Sequence, residues 1–320
     1  MLEEPFASHA NAATIPQPRE DQPVHKRVGA RERYPPWVRL EVAHPVLWLG
    51  ALLASVPGAA TDLENCEARL LPYAGRPASG PTVLELVGPG DARLLYLGVA
   101  HTRDPTEAAL RELEVSFRRF RPTRVFFEGH QTEFAADRDE TVRRFAEAGL
   151  VRMLAEGAGV PAASLEPEAQ EEVARLLELA PPAEVELFYL LRESRRMRVQ
   201  LELRGERLDE AIEELLATRG LPGLEPSITG LADLERAFWK HWPYPHRWQD
   251  VPADVLAPRA DSDLFTHRLA LALARIRDTH MFRTLATALL ADQRVFAVAG
   301  ANHVHTQTPA LECLSRGQDM

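Results

Sequence analysis

The run Arg93-Leu94-Leu95-Tyr96-Leu97-Gly98-Val99-Ala100-His101 decides the reading of the fold. It is an apolar strand that closes on Gly-x-x-His. Upstream, Thr82 to Val87 lies across the turn Gly88-Pro89-Gly90-Asp91, so the two runs read as a β-hairpin. Downstream, Asp104-Pro105-Thr106-Glu107 opens a helix. Asp is a favourable N-cap, Pro suits the first helical position and Glu107 completes a capping box. Leu110, Leu113, Phe117 and Phe120 then line one helical face, Pro122 stops the helix, and Thr123 to Glu128 is the next strand. Strand, helix and strand in this order predict parallel strands, because the crossover returns the chain in the same direction.

The same alternation continues. A helix is expected from about Glu140 to Glu156, a short buried strand over Ala162 to Leu165, and a further helix begun by Glu166-Pro167-Glu168. Ala183 to Thr218 is helical and densely charged, with Gly205 as the break of a helical hairpin. Residues 219–260 differ: six prolines from Pro222 to Pro258 punctuate them, and Trp239, Trp242, Tyr244 and Trp248 cluster there. They read as an irregular insertion, either a lid or an aromatic mini-core. Ser262 to Ala291 is helical again, and Val295 to Ala299 is the last strand, closed by Gly300-Ala301-Asn302-His303. The expected class is α/β, with a central mixed, largely parallel sheet flanked by helices. The expected domain covers residues 82–315, preceded by a linker over 61–81 and a disordered tail over 1–60.

The chain has 320 residues, 45% hydrophobic, with a formal net charge of −10. That is enough apolar content for a full core. No basic block marks a nucleic-acid footprint, so nucleic acid is not an expected partner. Two cysteines, Cys66 and Cys313, exclude a CxxC motif and are read as unpaired thiols in preference to a disulfide. Pro45 to Val56 is a short apolar run with arginines and a lysine upstream and Pro57-Gly58-Ala59-Ala60 after it. This is the layout of a secretory signal, with cleavage after Ala60 leaving Thr61 first. The run is too short to span a bilayer comfortably, so membrane contact is expected only if residues 45–60 stay on as an uncleaved anchor. Against export, the basic region is long and Glu41 sits close to the apolar run, so initiation further downstream and a buried N-terminal helix are competing readings. The layout favours an exported or periplasmic protein, with the cytoplasm as the alternative.

In open parallel sheets ligands bind outside the carboxyl ends of the strands. His101, Glu128, Glu166 and His303 all fall at such ends. Glycine at positions 98 and 300 lets the chain turn off the strand and lets a ligand approach the backbone. A glutamate after Val125-Phe126-Phe127 is costly to bury unless paired, which favours a functional role. Two imidazoles and a carboxylate can hold a divalent ion with open positions and acidify its water. The same set also works without metal: one histidine takes a proton from water while Glu128 fixes its tautomer, and Asn302 donates to a developing oxyanion. Arg277, on the helix leading into the last strand, is placed to bind an anionic group.

Paired GxxH motifs with a strand-end glutamate between them, together with Arg277-Asp278 and Met281, resemble the TraB/PrgY/GumN/Tiki group over roughly residues 82–315. The resemblance implies two pseudo-repeated halves around one sheet and a site of His101, Glu128 and His303 with Arg277 in support. It also implies a divalent-metal-dependent hydrolase or peptidase that binds manganese or cobalt in preference to zinc or iron. Its substrate would be a peptide or a small-molecule ester or amide. Related groups bring two alternatives: esterase-like hydrolases that dispense with metal, and non-catalytic peptide- or haem-binding proteins. The second motif departs from the group's pattern, since Val304-His305-Thr306 follows it where Leu-x-Gly is usual.

Overall fold

Side chains alternate across a strand, and the central strands here are apolar on both faces, as strands covered on both sides must be. Leu94 and Tyr96 point to one side of the sheet and Leu95 and Leu97 to the other. Val295, Ala297 and Ala299 alternate in the same way with Phe296 and Val298. The computed structural model describes residues 59–72, 82–130, 133–218, 220–291 and 293–316. Along the chain these form α1 (Ala59–Glu67), β1 (Val83–Val87), β2 (Arg93–Val99), α2 (Ala108–Phe120), β3 (Arg124–Phe127) and α3 (Arg138–Ala158). There follow β4 (Ala162–Ser164), α4 (Ala169–Leu177), α5 (Pro182–Gln200), α6 (Glu206–Thr218) and α7 (Leu231–Trp239). The chain closes with α8 (Phe265–Leu290), β5 (Arg294–Gly300) and α9 (Ala301–Arg316).

The sheet order is β1-β2-β5-β3-β4. Only β1 is antiparallel, to β2; the β2–β5, β5–β3 and β3–β4 pairs are parallel. This is a mixed, largely parallel sheet flanked by helices, as the alternation of elements predicts. The helices α2 and α3 cover one face, while α1, α9 and the second half of α8 cover the other. A third cluster joins α4 to α7 with the first half of α8. The long α8 therefore runs from the helical block (Phe265, Leu269, Leu273) onto the sheet (Met281, Phe282, Leu285), and Arg277 and Asp278 sit at the crossing.

Several local expectations change. The Asp104 carboxylate caps no helix. It accepts from the Thr106 N–H at 2.9 Å and the Thr106 hydroxyl at 2.8 Å, forming a turn, and α2 starts only after Glu107. The residues after Gly300 open α9 directly, with no loop between strand and helix. A Cβ on Gly98 would lie 2.9 Å from the Ala301 Cα, so the first motif's glycine makes room for the start of that helix. Trp242 stacks on Phe238 and meets Phe265, and Trp248 is buried in the helical block. Trp242 and Trp248 thus join a mini-core, whereas Trp239 and Tyr244 are exposed. Cys66 and Cys313 are bonded to each other with Cα atoms 5.4 Å apart, which overturns the reading of two unpaired thiols. A separation of 247 residues hides that pairing from sequence. The bridge ties α1 to α9, and Arg283 on α8 bonds Glu67 at the end of α1 at 2.6 Å. Part of the expected linker is therefore helical. The basic and apolar segments before residue 59 lie outside the described residues. Among the described residues no helix is long and apolar enough to cross a membrane.

One break lies inside α3. Ala146 has φ 55° and ψ −153°, a region that essentially only glycine occupies without strain. The buried stripe slips there from Val142 and Phe145 to Leu150, Val151 and Ala155. A Cβ on Gly149 would collide with the Cβ of Phe145, so this glycine lets the second half pack after the break. Ala146→Gly should relieve about 1–3 kcal/mol of strain against about 0.5–1 kcal/mol for glycine in a helix. The expected outcome is a gain of about 1 kcal/mol in denaturant unfolding; a loss of stability would contradict the strain.

Candidate functional site

Because β2, β5, β3 and β4 run in one direction, the residues that follow them arrive at one edge of the sheet. His101 follows β2, Glu128 follows β3, Glu166 follows β4 and His303 stands in the first turn of α9 after β5. The structure brings all four together around Glu128. Its Oε2 accepts from the Gly300 N–H at 2.6 Å and lies 3.8 Å from Nε2 of His101. Its Oε1 accepts from Nη2 of Arg277 at 3.0 Å and lies 3.4 Å from Nε2 of His303. Glu128 also sits at the amino end of α9, whose dipole favours a negative charge. Arg277 completes a fork on Glu166, donating from Nε at 2.6 Å and from Nη2. Asn302 lies in the same first turn of α9, half-buried.

Each histidine is gripped from behind by a carboxylate. Nδ1 of His303 pairs with Asp278 Oδ1 at 2.7 Å, and the same oxygen accepts from Gln307 Nε2 at 3.0 Å. Nδ1 of His101 is bonded to Glu147 of α3. Both Nε2 atoms thus face Glu128, His101 at Oε2 and His303 at Oε1. The expectation that Glu128 fixes the tautomer of a histidine is corrected: Glu147 and Asp278 hold the Nδ1 atoms, and Glu128 faces the opposite nitrogens. Exposure separates the two rings, for the His101 side chain is 59% exposed and that of His303 only 9%.

These contacts set the charges. Burial raises the Glu128 carboxyl, but the hydrogen bond and charge of His303, with Arg277 and His101, outweigh it and hold the group well below the usual carboxylate range. Burial lowers the His303 imidazole, yet its bonds to Asp278 and Glu128 push it up to about 9. The hydrogen bond to Glu147 raises His101 from its ordinary 6.5, partly offset by burial. Tyr96, wholly buried on β2, is pushed up by burial and then by Glu128, Asp278 and Glu166.

The divalent metal site expected at His101, Glu128 and His303 is overturned. Among the described residues no group of three or more His, Cys, Asp or Glu is arranged to hold a metal ion. The physical reason is occupancy by other bonds. One Glu128 oxygen accepts from the Arg277 guanidinium and the other from the Gly300 N–H, so the carboxylate is already held and partly neutralised by donors of the protein. The Arg277 charge bonded to Glu128 also disfavours a second cation on that carboxylate. Manganese, cobalt, zinc and iron are therefore withdrawn as cofactors, and with them the metallopeptidase reading. No protein-family model matches the chain, and no curated protein matches it. The family likeness and the metalloprotease description drawn from it have no support beyond the motifs themselves.

Sequence reading found His101, Glu128, His303 and Arg277 and placed Glu166 at a strand end. It missed Glu147, Asp278 and Gln307 as partners. Glu147 had one signal, a carboxylate where the apolar stripe of α3 slips. His267 lies away from this cluster and bonds Ser262 and the Asp254 carbonyl.

His303 gives a pH test with a definite sign. Its folded pKa is raised, so its contribution is complete below about pH 6.5 and is lost as pH climbs through about 9. Thermal unfolding should show about 3 kcal/mol lost across that window. His303→Gln should remove most of this slope; an unchanged slope would contradict the pairing.

Proposed function

We propose that this cluster is a metal-independent general acid–base site that hydrolyses a small-molecule ester or amide, with His101 as the base. The observation that carries the reading is the gap between Nε2 of His101 and Oε2 of Glu128. At 3.8 Å it is too wide for a direct hydrogen bond. Gly300 borders it, and a Cβ there would lie 3.3 Å from both atoms. A water held by the two groups gives up a proton to His101 Nε2 as its oxygen attacks the carbonyl carbon. The same proton then passes to the departing alkoxide or amine. His303, charged at neutral pH, and Arg277 keep Glu128 ionised and fixed. Asn302, one residue from His303, serves as a donor to the developing oxyanion. The finer fold reading, two related halves around one sheet, is supported by adjacent parallel strands β2 and β5 that each end in GxxH.

The Cys66–Cys313 bridge supports export, because disulfides persist in oxidising compartments. Mass spectrometry of the native protein should find an oxidised chain beginning near Thr61; an intact, reduced chain would contradict export.

His101→Ala should lower hydrolysis of activated esters by about 100-fold or more. Gly300→Ala should lower it with the fold intact, by filling the gap. Wild-type activity should rise with pH through a midpoint above 6.5, because Glu147 raises His101. Undiminished turnover in His101→Ala would end the proposal.

A further inference from the structure

The break in α3 leads straight to the next residue. Ala146 carries the strained backbone, and Glu147 is buried at 5% exposure, far in sequence from the ring it bonds. Strained backbone of this kind persists only where surrounding structure demands it, and it gathers at functional sites. A regular helix through Phe145 and Leu150 would turn residue 147 along a different direction, since the buried stripe changes phase there. The second oxygen of Glu147 is also buried and has no hydrogen-bond partner. A buried, half-satisfied carboxylate costs stability, so this one is not explained by packing.

We propose that Glu147 is the positioning residue of His101, and that the break at Ala146 exists to deliver it. Through Nδ1 it fixes the ring plane and keeps the proton on that nitrogen, so that Nε2 presents its lone pair to the gap beside Glu128. The inference deepens the proposed hydrolytic role of His101 but has a readout of its own. The groups facing His101 are Glu147 from α3, Glu128 after β3 and His303 from α9. The two carboxylates favour its protonated form and His303 opposes it, and Glu147 is the one in direct hydrogen bond.

The test is a nitrogen-15 NMR titration of the His101 ring in the full chain. In the wild-type protein the neutral ring should carry its proton on Nδ1, with a midpoint above 6.5. Glu147→Gln keeps an acceptor and loses the charge. It should retain that tautomer while the midpoint falls by about one pH unit. Glu147→Ala should lose the tautomer preference as well, and Glu147→Gln carries the test if the alanine variant does not fold. An unmoved midpoint in Glu147→Gln, or an unchanged tautomer in folded Glu147→Ala, overturns the proposal. If the shifts occur and no ester is hydrolysed, the positioning role stands and the hydrolase reading fails.

Discussion

The Arg277 guanidinium, forked onto Glu166 and bonded to Glu128, is the interaction on which the rest depends. It lies where α8 passes from the helical block onto the sheet. A half-buried cation in that place is stabilised by carboxylates around it, since a partly desolvated charge is costly when unpaired. Two strand ends provide them. The neighbouring residue, Asp278, is 1% exposed and turns to His303 instead. Two consecutive positions on one helix therefore fix both the central carboxylate and the buried histidine. Loss of Arg277 would leave Glu166 without its bonded cation and Glu128 with only the histidines to balance it.

From that anchor the two histidines acquire different characters. His303 is enclosed between Asp278 and Glu128, which makes it a permanent cation near neutrality. His101 meets solvent and has one carboxylate behind it and a gap in front. The same residue type, at the same place in the same motif, thus becomes an enclosed cation in one copy and a solvent-facing imidazole in the other. Environment decides this, because desolvation and partner charge act on the two rings in different proportions.

Much of this was legible in the sequence. The apolar runs closed by Gly98-Val99-Ala100-His101 and Gly300-Ala301-Asn302-His303, with Glu128 between them, predicted both parallel strands and convergence at one edge. Alternation of apolar residues on both faces explains why those strands were the easiest elements to find. Other parts had no local signal. The Cys66–Cys313 bond joins helices at opposite ends of the described chain. Asp278 carries no sign in the sequence of its bond to His303, which depends on the orientation of α8. Glu147 depended on a backbone break that propensity disfavours, since Phe-Ala-Glu-Ala reads as uninterrupted helix. The metal expectation failed for a related reason: ligand-type residues can be counted in a sequence, but competing hydrogen bonds to their donor atoms cannot.

The claim that the site works through an imidazole without an ion meets its most direct test in the turnover of metal-depleted protein. Elemental analysis should first establish that the stripped protein is free of transition metals. Its hydrolysis of an activated ester should then equal that of untreated protein, and adding manganese, cobalt or zinc should not raise it. Activity lost on stripping and restored by one of those ions would contradict the assignment of His101 as an unassisted base.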